Sequence, residues 1–446
     1  LLPWAPTAST WPWGPTTSVR RPRLSPPHTG IGIDFWKFTE ISELSDDALS
    51  ELSHLARSCA ACVAWPFHSA TSLLHLIGKK DGGSRTIATQ ASLQRLVMKA
   101  VAAPVANWDV TAAGHWDTAI KGSSALRAAV WRSLRIEVGV LQGLHTCAVL
   151  WDLEAFYETI LLSKLVPRCE ELGYPPWHLA MGMMAALAPR AFMYDNAVGD
   201  ILPMASRSLI TGDSQSTSYA RALLHHVLHD LAHAIPAAPT KQYVDDLSQV
   251  VVHECPDVVR HRVVLAGTIL HGHTTDLGLV ISKKSRLVPR NKMTESASAT
   301  LNALGVPISV ASSATDLGVQ CVGGRRRAAA KTAERISKAS VRARRNGLLV
   351  RKIGAVAKKL TRTGVVPQQA YGFEALGLSE AQIKRMRANI ASSLGDSHSG
   401  SCARTYIAQC GSNVTDPSVD YALAQVGIWI DLWAASSAAE RVSIRS

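Results

Sequence analysis

No apolar run in this sequence approaches the ~20 residues that cross a bilayer as a helix, so no membrane segment is expected. The N-terminus has no basic start leading into an apolar stretch, which leaves no secretory signal to read. Cysteine is sparse, 8 in 446 residues, too few for the disulfide scaffold of a small secreted domain. A reducing, intracellular compartment fits that count. Cys59 and Cys62 form a C-x-x-C pair, but no second pair lies near enough to complete a zinc site. They read as two small residues one turn apart on a helix. No internal repeat is visible at periods of roughly 20–50 residues. An initial Met is missing too, so the chain, which starts at Leu1, reads as a fragment.

Acid is short relative to base. Lys plus Arg number 47 against 34 Asp plus Glu, a net charge of +13, with a pI near 9.5. That balance suits an anionic partner, and nucleic acid is the commonest one. With 47% hydrophobic residues the chain can bury a large core. At about 100–200 residues per domain its length implies two to four domains or subdomains.

Residues 1–30 are rich in Pro, Trp, Ser and Thr without periodicity and read as a disordered leader. From Asp46 to Cys62 the spacing is helical, with Leu49, Leu52, Leu55 and Ala56 on one face. Leu73 to Ile87 reads as two short strands around Asp81-Gly82-Gly83, and Asp-Gly is a hairpin signal. Ser92 to Val105 is helical again, as are patterns through residues 160–190 and the His-rich stretch from Ser218 to Ala234. Cys147 to Asp152 is a short apolar run ending in an acid. Gln242 to His253 reads as a β-hairpin with an Asp-Asp tip, followed by a helix over about 256–276, a strand from Leu277 to Ile281 and a strand pair around Leu317 to Val322. From Arg325 to Arg362 there are fourteen Arg or Lys and one acid, Glu334, among small and apolar residues. This segment reads as basic helices.

Two features bear on chemistry: Asp152 at the end of an apolar strand, and Asp245-Asp246 at a hairpin tip about ninety residues later. Taken singly, an Asp-Asp pair at a turn is ordinarily solvated, and an Asp ending a strand is often a cap. Taken together, they match what two-metal phosphoryl transfer requires, carboxylates holding two cations ~3.5–4 Å apart. Magnesium prefers hard oxygen ligands and keeps several waters, so two or three carboxylates suffice. Around the Asp-Gly turn, Lys79 and Arg85 read as the cations of an exposed basic hairpin.

Tyr243-Val244-Asp245-Asp246, with apolar strand residues on both sides, resembles the Y-x-D-D box of reverse transcriptases. Trp151-Asp152-Leu153-Glu154-Ala155-Phe156-Tyr157 resembles the first palm motif of that family. Ile77 to Ile87 is similar to its fingers hairpin, and Gly212 to Ser218 to the motif that backs the templating base. Leu277 to Ser285 looks like the fourth palm motif, and Asp316-Leu317-Gly318-Val319 like the hairpin that grips the primer end. The motifs occur in the family's order over about residues 70–390, and cellular retroelements without long terminal repeats are the nearest type.

The resemblance implies an α+β, right-hand polymerase fold. Fingers and N-terminal helices would occupy 31–145, an antiparallel palm 146–323, a basic helical thumb 324–395 and a truncated extension 396–446. It implies RNA-directed DNA synthesis with two Mg2+ ions (Mn2+ being the alternative) held by Asp152, Asp245 and Asp246. Lys284 would protonate the leaving pyrophosphate, with Lys283 next to it as the alternative. Lys79, Arg85, Tyr157, Gln215 and Tyr243 would bind substrate, Tyr157 (or Phe156, one residue away) excluding a ribose 2′-hydroxyl. The implied partners are an RNA template, a DNA primer and deoxynucleoside triphosphates, in an intracellular and plausibly nuclear setting. Ser216 and Arg221 depart from the pattern, the first where glycine is usual. They keep open a catalytically decayed or co-opted nucleic-acid binder. An RNA-dependent RNA polymerase would more usually carry Gly-Asp-Asp at the tip and no bulky aromatic near the sugar.

Overall fold

The computed structural model of the protein describes residues 30–78, 82–194, 197–202, 206–324, 329–395, 400–410 and 414–445. The leader up to residue 29, Lys79 and the start of the basic run at 325–328 lie outside the described residues. The chain is a mixed α+β protein whose strands pair mostly antiparallel. In chain order the strands are β1 (Ser72–Gly78), β2 (Ser84–Thr89), β3 (His145–Trp151), β4 (Arg190–Tyr194), β5 (Ala197–Leu202) and β6 (Thr240–Tyr243). They continue as β7 (Asp246–His253), β8 (Arg286–Pro289), β9 (Ser309–Val310), β10 (Ser313–Asp316) and β11 (Val319–Val322). Among the described residues no helix is long and apolar enough to cross a membrane. The backbone gathers into two compact units interleaved along the sequence: one from residues up to 121, 153–230 and 270–281, the other from 122–152, 231–269 and 282 onward.

The first unit holds a four-stranded sheet in the order β2-β1-β4-β5. β1 pairs antiparallel with β2, from Leu73↔Thr89 to Gly78↔Ser84. The β4–β5 hairpin joins on the far side of β1, with β4 running parallel to it. That hairpin had no counterpart in the sequence pattern, because its strands are largely solvated. Tyr194 and Ile201 are exposed, so no inward–outward alternation marks them. The helix Asp46–Cys62 forms where its spacing predicts. The Ser45 hydroxyl accepts from Ala48 N, and Asp46 and Asp47 favour the positive end of the helix. Its buried stripe is rotated from the expected one: Leu55 is exposed, and Ala56, Cys59 and Ala60 go inward against Trp177. Small residues let that indole approach, and its Nε1 donates to Ala60 O at 2.9 Å. The helix expected over Ser92 to Val105 is two helices, Ser92–Ala100 and Ala103–Ala112, with the second starting around Pro104.

The second unit is built on a five-stranded sheet, β6-β7-β3-β8-β9, antiparallel except for the short β8–β9 pair. The helix Ala125–Leu141 packs Ile136 and Val140 onto Ala148, Leu150, Val250 and Val288. At Gly139 a Cβ would come within 2.8 Å of Thr146 and 2.9 Å of Val252, so glycine sets how closely helix and sheet approach. The helix Pro256–Asp276 approaches the sheet at Gly267, where a Cβ would meet Leu301 and Trp151. The strand expected at Leu277 to Ile281 is instead the helix's C-terminal cap. Gly278 takes φ +72°, and Gly278 N and Leu279 N turn back to Thr275 O and Thr274 O. The end of this stretch makes one isolated bridge, Ile281 to Leu153, with Val280 O accepting from Glu154 N at 2.8 Å. The basic segment forms the helix Ala330–Ile353, whose buried residues include Ile336, Ala339, Ala343 and Val350.

Candidate active site

The β3–β7 register runs from His145↔His253 to Trp151↔Leu247. One residue further along both strands, Asp152 stands opposite Asp246. β6 and β7 close a tight hairpin through the pair Tyr243↔Asp246, which leaves Val244 and Asp245 as its loop. Val244 takes φ +61°, a left-handed conformation that a β-branched residue rarely adopts. The Gln242 side-chain amide donates to Val244 O at 2.8 Å and braces the turn from inside.

A second loop fixes the backbone of Asp152. Ser282 N donates to Asp152 O at 2.7 Å, and Asp152 N donates to Ser285 Oγ at 3.1 Å. The turn between these serines carries Lys283 and Lys284, both exposed, with Lys284 N donating to Ser282 Oγ. The expected general acid therefore sits in a loop tied to the first aspartate, although the strand predicted before it is absent.

Asp246 feels the charge of the other two aspartates. Asp246 is pushed up to about 6, chiefly by burial and then by the charges of Asp245 and Asp152, while Arg132 pulls it down. Among the described residues no three His, Cys, Asp or Glu side chains meet in a ready-made metal-holding group. The donor chemistry still suits a hard divalent cation. The three aspartates are half-buried, and magnesium fills most of its coordination with water.

Arg132 was missed in the sequence. Its signal was available, since an arginine shares the i, i+4, i+8 stripe with Ile136 and Val140 on a core-facing helix. The guanidinium pairs with Asp316 at the end of β10. The turn after Asp316 is tight, with Leu317 at φ +48° and Gly318 at φ +75°. Arg335 Nη2 donates to Gly318 O at 2.6 Å, and Tyr371 Oη donates to Leu317 O at 2.9 Å. The Arg335 guanidinium also stacks 4.7 Å from the Tyr371 ring centre. The hairpin expected to hold a primer end is thus braced by the helix Ala330–Ile353 and by Tyr371.

The remaining expected residues belong to the other unit. Arg85 is exposed on β2, opposite Ile77. Of the two aromatics after Asp152, Phe156 is buried in the core and Tyr157 is half-buried, so Tyr157 is the one with an accessible edge. Gln215 is buried, and its side-chain carbonyl accepts from Tyr174 Oη at 2.7 Å. Burial pushes the Asp213 carboxyl up, and Gln215 N and Gln90 Nε2, each at 2.7 Å, hold its two oxygens.

No family model and no curated protein matches this chain.

The two departures from the motif pattern are built into the fold. Ser216 Oγ donates to Ile210 O at 2.8 Å at the start of the helix Ser216–Ala234. Arg221, on that helix, is buried and bonds to Asp117 at 2.5 Å, to Asp109 and to Ala119 O at 3.0 Å. The histidines of the same helix line one face: His225 and His229 pack edge-on to Trp116, and His226 faces Glu171 at 3.2 Å.

Proposed function

We propose that the chain is an RNA-directed DNA polymerase of retroelement type. The observation that carries this reading is the β3–β7 register. It sets Asp152 opposite Asp246, with Asp245 at the adjoining tip, in the order in which the sequence resembles the reverse transcriptase motifs. The substrates in this reading are deoxynucleoside triphosphates, a DNA primer and an RNA template, and the cofactor is Mg2+, with Mn2+ as a substitute. Asp152, Asp245 and Asp246 would hold the cations, which supply charge stabilisation at the transferring phosphate and an activated primer 3′-hydroxyl. The chain's own residues do the rest. Lys284 stands on a loop bonded to Asp152 and delivers a proton to the leaving pyrophosphate. Tyr157 presents a half-buried ring that selects deoxyribose, and Arg85 offers an exposed cation to the triphosphate. Lys79, assigned to the same role, lies outside the described residues. Net positive charge suits a nucleic-acid partner.

Primer extension on an RNA template, with Mg2+ and deoxynucleotides, tests the reading. The protein should extend the primer, and Asp245→Asn should lower the rate by at least ~10³-fold, the scale of losing one essential electrostatic group. Absence of extension by either protein, with duplex binding intact, would replace the polymerase reading with that of a binding protein.

A further inference from the structure

The helix Pro417–Ala435 carries apolar side chains on two roughly opposite faces. Its inward stripe is Tyr421, Gln425, Ile428 and Leu432, spaced by four, three and four. Ile428 and Leu432 pack with Ala129, Val130 and Val319, and the Tyr421 ring meets Phe373 at 5.5 Å. Gln425 Nε2 donates to Glu374 O at 3.4 Å. The outward stripe is Val419, Leu423, Val426, Ile430 and Trp433, spaced by four, three, four and three. Val419 is 48% exposed, Leu423 67%, Val426 58% and Ile430 59%, while Trp433 is half-buried. A helix that is apolar all round belongs where both faces are covered. Alternating steps of four and three are the seam along which two helices pair. Beside that seam lies Gly427, exposed, where a built Cβ would meet no described neighbour within 4 Å. Glycine weakens a helix interior, and no packing inside the chain calls for it here. It does let a second backbone come close.

The chemistry of the face narrows what covers it. Pro417–Ala435 contains no Lys or Arg, and its only charges are Asp420 and Asp431. Nucleic-acid phosphates and anionic lipid headgroups both need cations, so neither matches. The stripe does match itself. Turned antiparallel about a two-fold axis at Val426 and Gly427, Val419 of one copy lies opposite Trp433 of the other, small against large. Leu423 then lies opposite Ile430, and the two glycines meet where the backbones cross. The same turn brings Asp420 to the end of the second helix, where the Trp433 ring carries the guanidinium groups of Arg441 and Arg445 at 5.6 and 4.8 Å. Acid thus meets base at both ends of the pair. From this geometry we infer that Pro417–Ala435 is a self-association surface on which two copies of this chain pair antiparallel. Each copy offers the same patch, as a two-fold contact requires. Covering what the stripe leaves exposed removes roughly 500 Å² from each copy and about 1,000 Å² in all, the lower bound for a specific interface. The dimer is therefore a weak one that forms and parts with concentration. The inference stands apart from the polymerase reading.

Sedimentation velocity of the full chain, over a concentration series through the micromolar range, is the measurement. The unaltered protein should pass from monomer to dimer across the series. Leu423→Glu places a carboxylate in the seam and should raise the dissociation constant at least about tenfold. Leu423 is exposed in the single chain, so the circular dichroism spectrum of that variant should not change. Cysteine variants read the direction of pairing. Val426→Cys sits at the two-fold axis and should cross-link to itself under mild oxidation, whereas Val419→Cys should not, because Trp433 of the second copy faces it. Exposed Cys62, Cys255 and Cys402 oxidise as well, so the unaltered protein sets the baseline. A protein that stays monomeric across the series overturns the inference, and flotation of that monomer with phosphatidylcholine vesicles would assign the face to lipid instead. A dimer that Leu423→Glu leaves intact also overturns it, by placing the contact elsewhere. Cross-linking of Val419→Cys as readily as Val426→Cys overturns the antiparallel register.

Discussion

At the scale of single residues, the aspartate tip carries a conformational cost. Val244 at φ +61° is among the residues least suited to the left-handed region, and such positions cost on the order of 1–3 kcal/mol. Glycine has no Cβ to clash there but loses more chain entropy on folding, about 0.5–1 kcal/mol. Val244→Gly should therefore stabilise the protein by about 1 kcal/mol, read as a rise in the denaturant midpoint without a change in slope. In the proposed enzyme the same change should slow primer extension, because a freer loop no longer fixes Asp245 against Asp246. A Gly variant less stable than the parent would show that the turn is not strained. Residue identity made Asp152, Asp245 and Asp246 legible in the sequence. It did not reveal the pairing of Arg132 with Asp316, which joins a helix to a hairpin 184 positions away and which only packing makes visible.

At the scale of elements, periodicity and local chemistry explain what was read correctly. Asp46–Cys62, Pro256–Asp276 and the β6–β7 hairpin have strong signals: a capping serine, a long helical pattern, and apolar strands around a polar tip. Leu277 to Ile281 failed because an apolar run after a helix looks like a strand unless the glycine is recognised as a cap. Capping also yields a prediction in the C-terminal region. Asp416 accepts from Ser418 N at 2.9 Å and starts the helix Pro417–Ala435, and Arg387 grips the same carboxylate at 2.6 and 2.9 Å. These contacts, led by Arg387, hold its pKa far below the ordinary carboxylate range. A carboxyl depressed on folding contributes stability above its unfolded value of about 4, and that contribution is lost as pH falls through the folded value. Asp416→Asn should therefore cost about 1–3 kcal/mol at neutral pH and progressively less below about pH 4. Urea melts of the two proteins at pH 7 and pH 3 check it. An equal difference at both pH values would assign the effect to the cap geometry rather than to charge.

At the scale of the whole molecule, the net charge of +13 was legible from composition, and the structure shows how one long helix carries part of it. Ala330–Ile353 buries Ile336, Ala339, Ala343, Asn346 and Val350 along one stripe and leaves Arg342, Arg344, Arg345, Arg351 and Lys352 exposed. Its single acid, Glu334, is held down to about 2 by Lys338 and Lys331, so it is neutralised within the helix. Sequence alone located this basic segment but not which cations would face outward, because that depends on which stripe the following helix Glu380–Ser393 covers. If the exposed row contacts nucleic-acid phosphates, binding must release counterions, and each phosphate contact contributes about 0.9 to the slope of log affinity against log salt. Replacing Arg344, Arg345, Arg351 and Lys352 with Gln should weaken primer–template binding and flatten that slope by up to about 3–4. Sequence preference should not change, because phosphate contacts position a duplex without reading it. Fluorescence anisotropy across a salt series gives both quantities, and the circular dichroism spectrum of the same variant should be unchanged. A slope equal to that of the unaltered protein would remove this helix from the interface, and the +13 charge would then have to act through some other surface.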